Sequence, residues 1–364
     1  MSKKGRVLVA MSGGIDSSMV SIMLHEQGYE VIGVTMKTWD YSKEDIKKET
    51  GCCSLDSIND ARSLSVYLGF THFVLDIKKE FKNNVINNFI KEYALGKTPN
   101  PCIMCNTHIK WNVLLEKANK FNCEFIATGH YANIRLENKR FIISKGKDKK
   151  KDQSYVLWGI SQKNLKRTIF PLGNFKKKEI YSFAKNMGFK NLSKKSESYE
   201  ICFIPDNDYR KFLINNSKNL KKKVEKGKFF LKNGKMIGYH DGYPFYTIGQ
   251  RKKLNISLGY PLYVLEIHPF QNKIILGQYS DLIKTTMYVN RLNMMKYLKL
   301  NNKTHINIKV RYNDLGTPAV IEQFGNEAKI LFLKKINIIS PGQSAVFYEN
   351  EDVIGGGFIM SSCK

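Results

Sequence analysis

A glycine-rich turn near the start of the chain combines residue types that bind phosphate. It reads Ser12-Gly13-Gly14-Ile15-Asp16-Ser17, after the apolar run Val7–Ala10 and before a segment with helical spacing of apolar residues. The order strand, turn, helix directs backbone N–H groups and the positive end of a helix dipole to one point. Two glycines allow the tight turn, and the serines add hydroxyl donors. The pattern predicts a phosphate or pyrophosphate nest, although a plain turn of small residues is the alternative; it is not a Walker A loop, because no Gly-Lys-Ser/Thr follows.

A pair of cysteines offers sulfur chemistry. It lies in Thr98-Pro99-Asn100-Pro101-Cys102-Ile103-Met104-Cys105-Asn106, where the two prolines disfavour a helix or a central strand before the cysteines. A helix is predicted from about Thr107, which places Cys105 just before its first turn. A thiol at a helix N-terminus has a lowered pKa, which suits a nucleophile or a persulfide carrier. Cys-x-x-Cys is also half of a zinc site.

The spacing of the other cysteines argues against the zinc alternative. The chain contains seven: Cys52, Cys53, Cys102, Cys105, Cys123, Cys202 and Cys363. A zinc site would need a second closely spaced pair, and the adjacent Cys52 and Cys53 chelate poorly together. Cys202 lies in an apolar run, so its residue context fits a buried inert thiol as well as a functional one.

Alternating apolar patterns indicate the elements that must position these residues. Strand-like runs and helix-like runs alternate up to about Cys202, which predicts a mostly parallel sheet covered by helices. The strands are Val31–Met36, Phe73–Ile77 and Glu124–Thr128, and the helices include Asp56–Leu68, Phe81–Leu95 and Phe175–Met187. Met36 and the pair Gly129-His130 follow strands, so their loops should converge with the glycine turn at one sheet edge. Short strands after Pro205 and an alternating pattern from about Leu282 predict a small antiparallel barrel at the end.

Charge favours a polyanionic partner. The chain of 364 residues has 59 Lys+Arg against 32 Asp+Glu, a formal net charge of +27. Nucleic acid is the obvious polyanion, although the abundance of Lys, Asn and Ile also fits an AT-rich genome. The chain shows no long apolar segment and no signal-like N-terminus, so we expect a cytoplasmic protein without a membrane partner.

The motifs together resemble one family of enzymes. The glycine turn resembles the PP-loop of ATP pyrophosphatases. Over essentially the whole chain, the motifs are similar to those of the tRNA-specific 2-thiouridylases: Asn-Pro-Cys-x-x-Cys-Asn at 100–106, Glu-Ser-x-x-Ile-Cys-Phe-Ile-Pro at 197–205, Thr-Gly-His-Tyr at 128–131, Asp-Gln-Ser-Tyr at 152–155, Tyr-Thr-Ile-Gly-Gln-Arg at 246–251, Arg-Tyr at 311–312 and Ser-Pro-Gly-Gln at 340–343. The resemblance implies a catalytic α/β PP-loop domain (1–204), a central domain (205–281) and a C-terminal β-barrel domain (282–364).

The resemblance also implies a reaction, in which ATP adenylates the 2-carbonyl oxygen of the wobble uridine of tRNA and sulfur replaces that oxygen. ATP would bind at Ala10, Met11, Ser12, Gly13, Gly14, Ile15, Asp16, Ser17, Met36 and Gly129, with Asp16 helping to place Mg²⁺. A sulfur carrier or cysteine desulfurase would load a persulfide on Cys202. Cys105 would act as the nucleophile, leaving a transient Cys105–Cys202 disulfide that a reductant reopens.

The family further implies two sets of tRNA contacts. Asn100, Pro101, Cys102 and His130 would lie near the flipped base, whereas Lys151, Asp152, Gln153, Arg311, Tyr312 and Gln343 would bind the anticodon stem-loop. Cys102 occupies a position where some members carry Asp, a better general base. Three thiolates at Cys102, Cys105 and Cys202 could instead hold an iron–sulfur cluster.

Two other functions compete with this interpretation. Another PP-loop synthetase would adenylate a different acceptor, but it would not need the Cys105/Cys202 pair. A metal-stabilised RNA-binding module would use the cysteines structurally, but it would not need an intact glycine turn. The sulfur donor, the set of tRNAs and the oligomeric state stay open.

Overall fold

The computed structural model describes residues 4–39, 55–189, 201–204, 206–217, 220 and 224–360. The chain divides into two compact units. The first unit contains residues 1–85, 102–207 and 351–353, and the second contains residues 86–101, 208–350 and 354–364. Among the described residues, no helix is both long and apolar enough to cross a bilayer.

A parallel sheet of order β3-β2-β1-β4-β7 organises the first unit, which confirms the predicted α/β class. Its strands are β1 (Arg6–Ala10), β2 (Glu30–Lys37), β3 (Thr71–Asp76), β4 (Phe125–Ala127) and β7 (Thr168–Ile169), while β5 (Ala132–Glu137) and β6 (Arg140–Lys145) form an antiparallel hairpin. The α-helices among the described residues are α1 (Ile15–Glu26), α2 (Leu55–Leu68), α3 (Lys78–Phe81), α4 (Asn87–Ala94), α5 (Pro101–Met104), α6 (Leu114–Lys120), α7 (Gln162–Leu165), α8 (Lys177–Asn186) and α9 (Tyr209–Asn216). The predicted strands and helices of this region all occur, with ends shifted by a few residues.

Burial on both sheet faces explains the composition of the central strand. Val7, Leu8 and Val9 of β1 are consecutive and fully buried, as expected for a parallel strand with helices on both sides. Helix α1 packs against β1, β2, α2 and α8 and buries most of its residues. This packing fixes the start of α1, and therefore the glycine turn, against the end of β1.

One continuous helical segment carries the cysteine pair, and here the sequence prediction was wrong. The segment begins at Pro101 rather than near Thr107, and it runs through α5, a π-helical stretch Cys105–Val113 and α6. Pro101 fits the first helical position, where its missing N–H costs no hydrogen bond. Cys102 therefore lies in the first turn, whereas Cys105 lies at the start of the π stretch and not ahead of the helix.

The second unit contains a four-stranded sheet and a barrel. The sheet has the order β10-β11-β8-β9, with β8 (Gly227–Leu231), β9 (Met236–His240), β10 (Tyr263–His268) and β11 (Lys273–Gly277). The barrel strands are β12 (Lys284–Met294), β13 (Thr304–Lys309), β14 (Thr317–Phe324), β15 (Glu327–Ile336), β16 (Ser344–Glu349) and β17 (Asp352–Ile359). The barrel closes because β12 pairs with both β15 and β17, which confirms the predicted antiparallel barrel.

A buried histidine gives the second unit a pH-dependent stability. The His240 ring is buried between Phe229 and Tyr246, and its Nδ1 accepts the Gly242 N–H at 3.1 Å. Burial lowers the pKa of His240 to about 4 from the ordinary value of 6.5. Below the ordinary value the unfolded chain binds a proton that the folded chain does not, so stability is lost as the pH falls from about 6.5 to about 4.

We therefore expect the burial of His240 to lower the free energy of unfolding by about 2 to 3 kcal/mol when the pH falls from 7.5 to 4.5. His240→Gln should remove that part of the pH dependence, whereas His305→Gln, which changes an exposed histidine, should leave it. Urea unfolding of the three proteins at both pH values measures the difference. Equal pH slopes for wild type and His240→Gln would contradict the assignment.

Candidate active site

The glycine turn is closed by hydrogen bonds of its own serines. Ser17 Oγ accepts the Ser12 N–H at 3.0 Å and donates to the Gly14 carbonyl at 3.1 Å. Ser12 Oγ lies 3.3 Å from Ser17 Oγ. The turn is therefore preformed, so its N–H groups need little reorganisation to bind an anion.

Gly13 is required at its position for two reasons. Its φ of +68° is in the left-handed region, where residues with a Cβ are strained. A Cβ there would also overlap the Ser57 backbone of α2. The sequence prediction of a tight turn that depends on glycine agrees with this geometry.

The loop after β4 meets the turn, as the strand pattern predicts. A Cβ on Gly129 would lie 3.0 Å from Asp16 Cβ and 3.2 Å from the Ser17 backbone nitrogen, so the two loops are in contact. Of the other predicted ATP residues, Ala10 ends β1, Met11 donates its N–H to the Val34 carbonyl at 2.8 Å, Ile15 begins α1 and the half-buried Met36 lies near the end of β2. All of them belong to the first unit, and their role in binding ATP stays a prediction.

The Asp16 carboxylate is held by two residues that the sequence analysis did not assign to the site. Lys177 Nζ lies 2.6 Å from Asp16 Oδ2, and the Tyr131 hydroxyl donates to Asp16 Oδ1 at 2.7 Å. Lys177 is only 8% exposed, and its ammonium lies over the rings of Tyr131 and Tyr181. No local pattern singles out Lys177, because it is the middle residue of the run Lys176-Lys177-Lys178.

Asp16 retains capacity for a magnesium ion. Each carboxylate oxygen has a further lone pair beyond the bond it makes to Lys177 or Tyr131. Among the described residues, no three His, Cys, Asp or Glu side chains gather into a metal site. Mg²⁺ binds through one or two carboxylates together with substrate phosphates, and its binding at Asp16 stays a prediction.

The cysteine helix presents thiols in different settings. Cys102 is exposed and Cys105 is half-buried, and neither is in a disulfide. The surrounding protein raises the pKa of the Cys102 thiol by desolvation, and the Lys110 ammonium on the same helix acts in the opposite direction. By contrast, Cys123 is buried, and burial raises its pKa to about 11, as expected for a packing thiol.

His130 is a buried neutral base next to this helix. Its ring lies against Trp111 and Phe170, and desolvation lowers its pKa well below the ordinary value. Lys110 Nζ lies 3.4 Å from Nε2, and an ammonium only donates, so Nε2 accepts. The proton therefore resides on Nδ1, which donates to Thr128 Oγ1 at 2.7 Å.

Cys202 is exposed at the surface of the first unit, which removes the interpretation as a buried inert thiol. Its neighbours Phe203 and Ile204 are buried, and the Phe203 ring packs edge-on against Phe81 at 5.7 Å. Helix α3, which ends at Phe81, also contacts the π stretch that begins at Cys105. Phe81 thus links the Cys202 segment to the Cys105 helix. In the described part of the chain, Cys102, Cys105 and Cys202 do not converge as a three-ligand cluster site, and Glu197, Ser198 and Pro205 lie outside the described residues.

Asp152 and Gln153, which are expected to contact tRNA, stabilise loops of the first unit by hydrogen bonds. The buried Asp152 accepts the N–H groups of Gly146 and Ser154, each at 3.1 Å. Gln153 Oε1 accepts the Tyr131 N–H at 3.0 Å. Gln153 therefore supports the tyrosine that bonds Asp16. Lys151 is half-buried in the same loop.

The other residues predicted to contact tRNA are divided between the units. Cys102 and His130 belong to the first unit, and the rest belong to the second: Asn100, Pro101, Arg311, Tyr312 and Gln343. Gln343 Nε2 donates to the carbonyls of Thr98 and Pro99 at 3.0 and 3.1 Å, so its amide ties down the loop that leads to Asn100 and Pro101. Arg311 and Tyr312 follow β13 and are exposed, as an RNA contact requires.

Comparisons with known proteins define the class. Three family models match in order: a tRNA methyl transferase HUP domain over residues 5–206, a tRNA methyl transferase PRC-barrel domain over 217–278 and an aminomethyltransferase beta-barrel domain over 284–359. Models of three domain types thus match successive parts of the chain, and the HUP domain model covers more than half of it. A 4-thiouridine synthetase solved with RNA and ATP has a TM-score of only 0.38 at 19% identity, over 60% of this chain and 52% of that chain.

Full-length relatives give the family. The chain is 61% identical to a tRNA-specific 2-thiouridylase MnmA of Amoebophilus asiaticus, over 100% of this chain and 97% of the relative. It is 60% identical to the protein of that name from Cytophaga hutchinsonii, over the whole of both chains. The chain therefore belongs to the tRNA-specific 2-thiouridylase family, a family of tRNA sulfurtransferases.

Proposed function

We propose that the protein uses ATP to convert the wobble uridine of tRNA into 2-thiouridine, with AMP and pyrophosphate as the other products. The observation that carries this proposal is the content of the first unit, which holds both a preformed glycine turn and a helix with two thiols. Activation and sulfur transfer then have separate machinery in one compact unit.

The turn is suited to the activation step. A uracil carbonyl oxygen is a poor leaving group, and its attack on the α-phosphate of ATP converts it into the leaving group AMP. The N–H groups between Ser12 and Ser17 would bind the phosphates, and Asp16 would hold Mg²⁺ with them. Lys177 supplies a buried positive charge next to Asp16, where phosphate charge shifts as pyrophosphate leaves.

The thiols are suited to the second step. The Cys105 thiolate would attack Sγ of a Cys202 persulfide, forming the Cys105–Cys202 disulfide and releasing hydrosulfide. Hydrosulfide then attacks C2 of the adenylated uridine, the C2–O bond breaks and AMP leaves. Alternatively, the terminal sulfur of the persulfide attacks C2 directly and AMP leaves. Cys105 then attacks Sγ of Cys202, which releases the thiolated base and forms the same disulfide. A reductant reopens the disulfide, which fits a cytoplasmic location.

The tRNA would be bound by charge and by exposed side chains. A net charge of +27 favours a polyanion, and Arg311 and Tyr312 offer an exposed guanidinium and an aromatic ring for a splayed loop. A persulfide-donating protein must also reach Cys202, whose exposure permits this.

Reconstitution tests the proposal. Purified protein with ATP, Mg²⁺, a persulfide donor and unmodified tRNA should form 2-thiouridine at the wobble position, with one AMP per modified base. Mass spectrometry of nuclease-digested tRNA detects the product. ATP cleavage without thiolated tRNA under reducing conditions would show that another acceptor is used.

Cys202→Ser separates this enzyme from a metal-stabilised RNA-binding module. We expect the variant to fold, to bind tRNA within about threefold and to release pyrophosphate, but to lose persulfide-dependent thiolation by at least about 100-fold, because the sulfur carrier is missing. Cys123→Ser, in a buried packing position, is the matched control and should retain thiolation. Loss of folding in Cys202→Ser would instead indicate a structural thiol.

A further inference from the structure

Lys110 is a cation without an obvious counterion in the described structure. It is half-buried, and among the described residues no carboxylate pairs with it. Its hydrogen bond to His130 joins it to a neutral ring and therefore supplies no opposite charge. An ammonium removed in part from water is stabilised by a negative charge beside it, so an anion bound next to Lys110 would offset this cost.

The neighbours of Lys110 fix its position. The imidazole of His130 is held by Thr128, Trp111 and Phe170, and its Nε2 accepts from Lys110. A buried imidazole with a strongly lowered pKa stays neutral at physiological pH and does not repel the ammonium. His130 is therefore a positioning residue for Lys110.

Lys110 shares one helical segment with Cys102 and Cys105. Lys110 lies in the π stretch that begins at Cys105, where hydrogen-bonded partners are five positions apart in the chain, so Lys110 is one such step after Cys105. Its charge also acts on the Cys102 thiol. The phosphate turn has its own buried cation, Lys177, which is paired with Asp16. The two lysines thus contact different side chains, Lys177 that of Asp16 and Lys110 that of His130.

We propose that Lys110 is a catalytic residue of sulfur transfer, whose ammonium stabilises anionic sulfur at the Cys102–Cys105 end of the helix. This rests on the proposed function. The anion is first a cysteine thiolate and then the hydrosulfide or perthiolate that attacks C2 of the adenylated uridine. Lys110 keeps its proton throughout; the bonds that form and break are those of the persulfide and of the C2–O linkage described above.

The test compares Lys110→Met, Lys110→Arg and the control Lys120→Met, which changes an exposed lysine on α6. In single-turnover assays with a persulfide donor and tRNA, Lys110→Met should lose thiolation by about 100-fold while tRNA-dependent pyrophosphate release stays within about threefold. Lys110→Arg should recover to within about tenfold of wild type, since it restores the charge. Alkylation of Cys102 by iodoacetamide, followed by peptide mass spectrometry across pH, should shift to higher pH in Lys110→Met and not in Lys120→Met.

Two results would overturn the proposal: thiolation by Lys110→Met within threefold of wild type, or equal losses of thiolation and pyrophosphate release. If wild type itself forms no 2-thiouridine, the proposed function has failed, and the alkylation profile then decides on Lys110 alone. An unchanged profile in Lys110→Met overturns the electrostatic role, and a shifted one supports it.

Discussion

Replacement of Cys105 by alanine should abolish 2-thiouridine formation, with a loss of at least about 1,000-fold in the single-turnover rate. No other thiol has the same place at the start of the π stretch, so the persulfide sulfur on Cys202 cannot be released by disulfide formation. The variant should still bind tRNA within a few-fold and release pyrophosphate. A distinctive consequence is sulfur trapped on Cys202, visible by mass spectrometry as one extra sulfur atom on its peptide, or as a disulfide between Cys202 and the tRNA base if transfer to C2 is direct.

Cys123→Ala is the matched control for this loss. Cys123 is buried in the turn after α6, and its thiol contacts the Phe121 carbonyl. We expect a modest change in stability and wild-type thiolation. Thiolation by Cys105→Ala at the wild-type rate would remove Cys105 from the mechanism, whatever the state of Cys202.

Replacement of Lys177 by methionine should reduce tRNA-dependent pyrophosphate release by about 100-fold or more. Lys177 is the buried cation next to Asp16, so its loss removes charge stabilisation where phosphate negative charge develops and leaves Asp16 with Tyr131 alone. Both steps of the reaction should slow together, because sulfur transfer needs the adenylate. Measurement of pyrophosphate and 2-thiouridine in the same reaction separates this result from that of Cys105→Ala.

Lys178→Met provides a control on the same helix, since Lys178 is the exposed neighbour of Lys177. Lys178→Met should release pyrophosphate and form 2-thiouridine at the wild-type rates. The pair Asp16→Asn and Lys177→Met also forms a double-mutant cycle. If Lys177 acts only by holding Asp16, the double variant should be no slower than the slower single variant, whereas additive losses would show that each acts independently on the nucleotide.

Much of the first unit could be predicted, because its central strand β1 is buried on both faces. A short continuous apolar run such as Val7–Val9, directly before a glycine turn, is typical of a central strand. The hairpin β5–β6 was missed. Its turn uses Asn138 and Lys139, both with positive φ, and lysine there gives none of the signal that Asn-Gly would give. Its side chains are also tied by a distant partner, since Arg135 bonds both oxygens of Asp352.

The site residues also differ in how far the sequence could predict them. Gly13 follows from a local rule, because a tight turn with positive φ demands glycine, and Gly129 follows from its place just after a predicted strand. Lys177, Tyr131 and Lys110 matter through contacts with residues distant in the chain, and Lys177 lies 161 positions from Asp16. The sequence pattern places the start of the cysteine helix too late in the chain, because two prolines disfavour a helix before the cysteines. Pro101 is nevertheless compatible with the first helical position, where the helix begins.

The π-helical stretch after Cys105 makes the spacing between the thiols and Lys110 sensitive to chain length. Wide turns of this kind accommodate an additional residue relative to an α-helix. Deleting one residue between 106 and 109 would therefore let the backbone relax into ordinary α-helix, with little penalty to helicity, while rotating Lys110 about the axis relative to the cysteines. A homologue with such a deletion would look intact in a search for Cys-x-x-Cys, yet it would have lost the alignment between its cation and its sulfur.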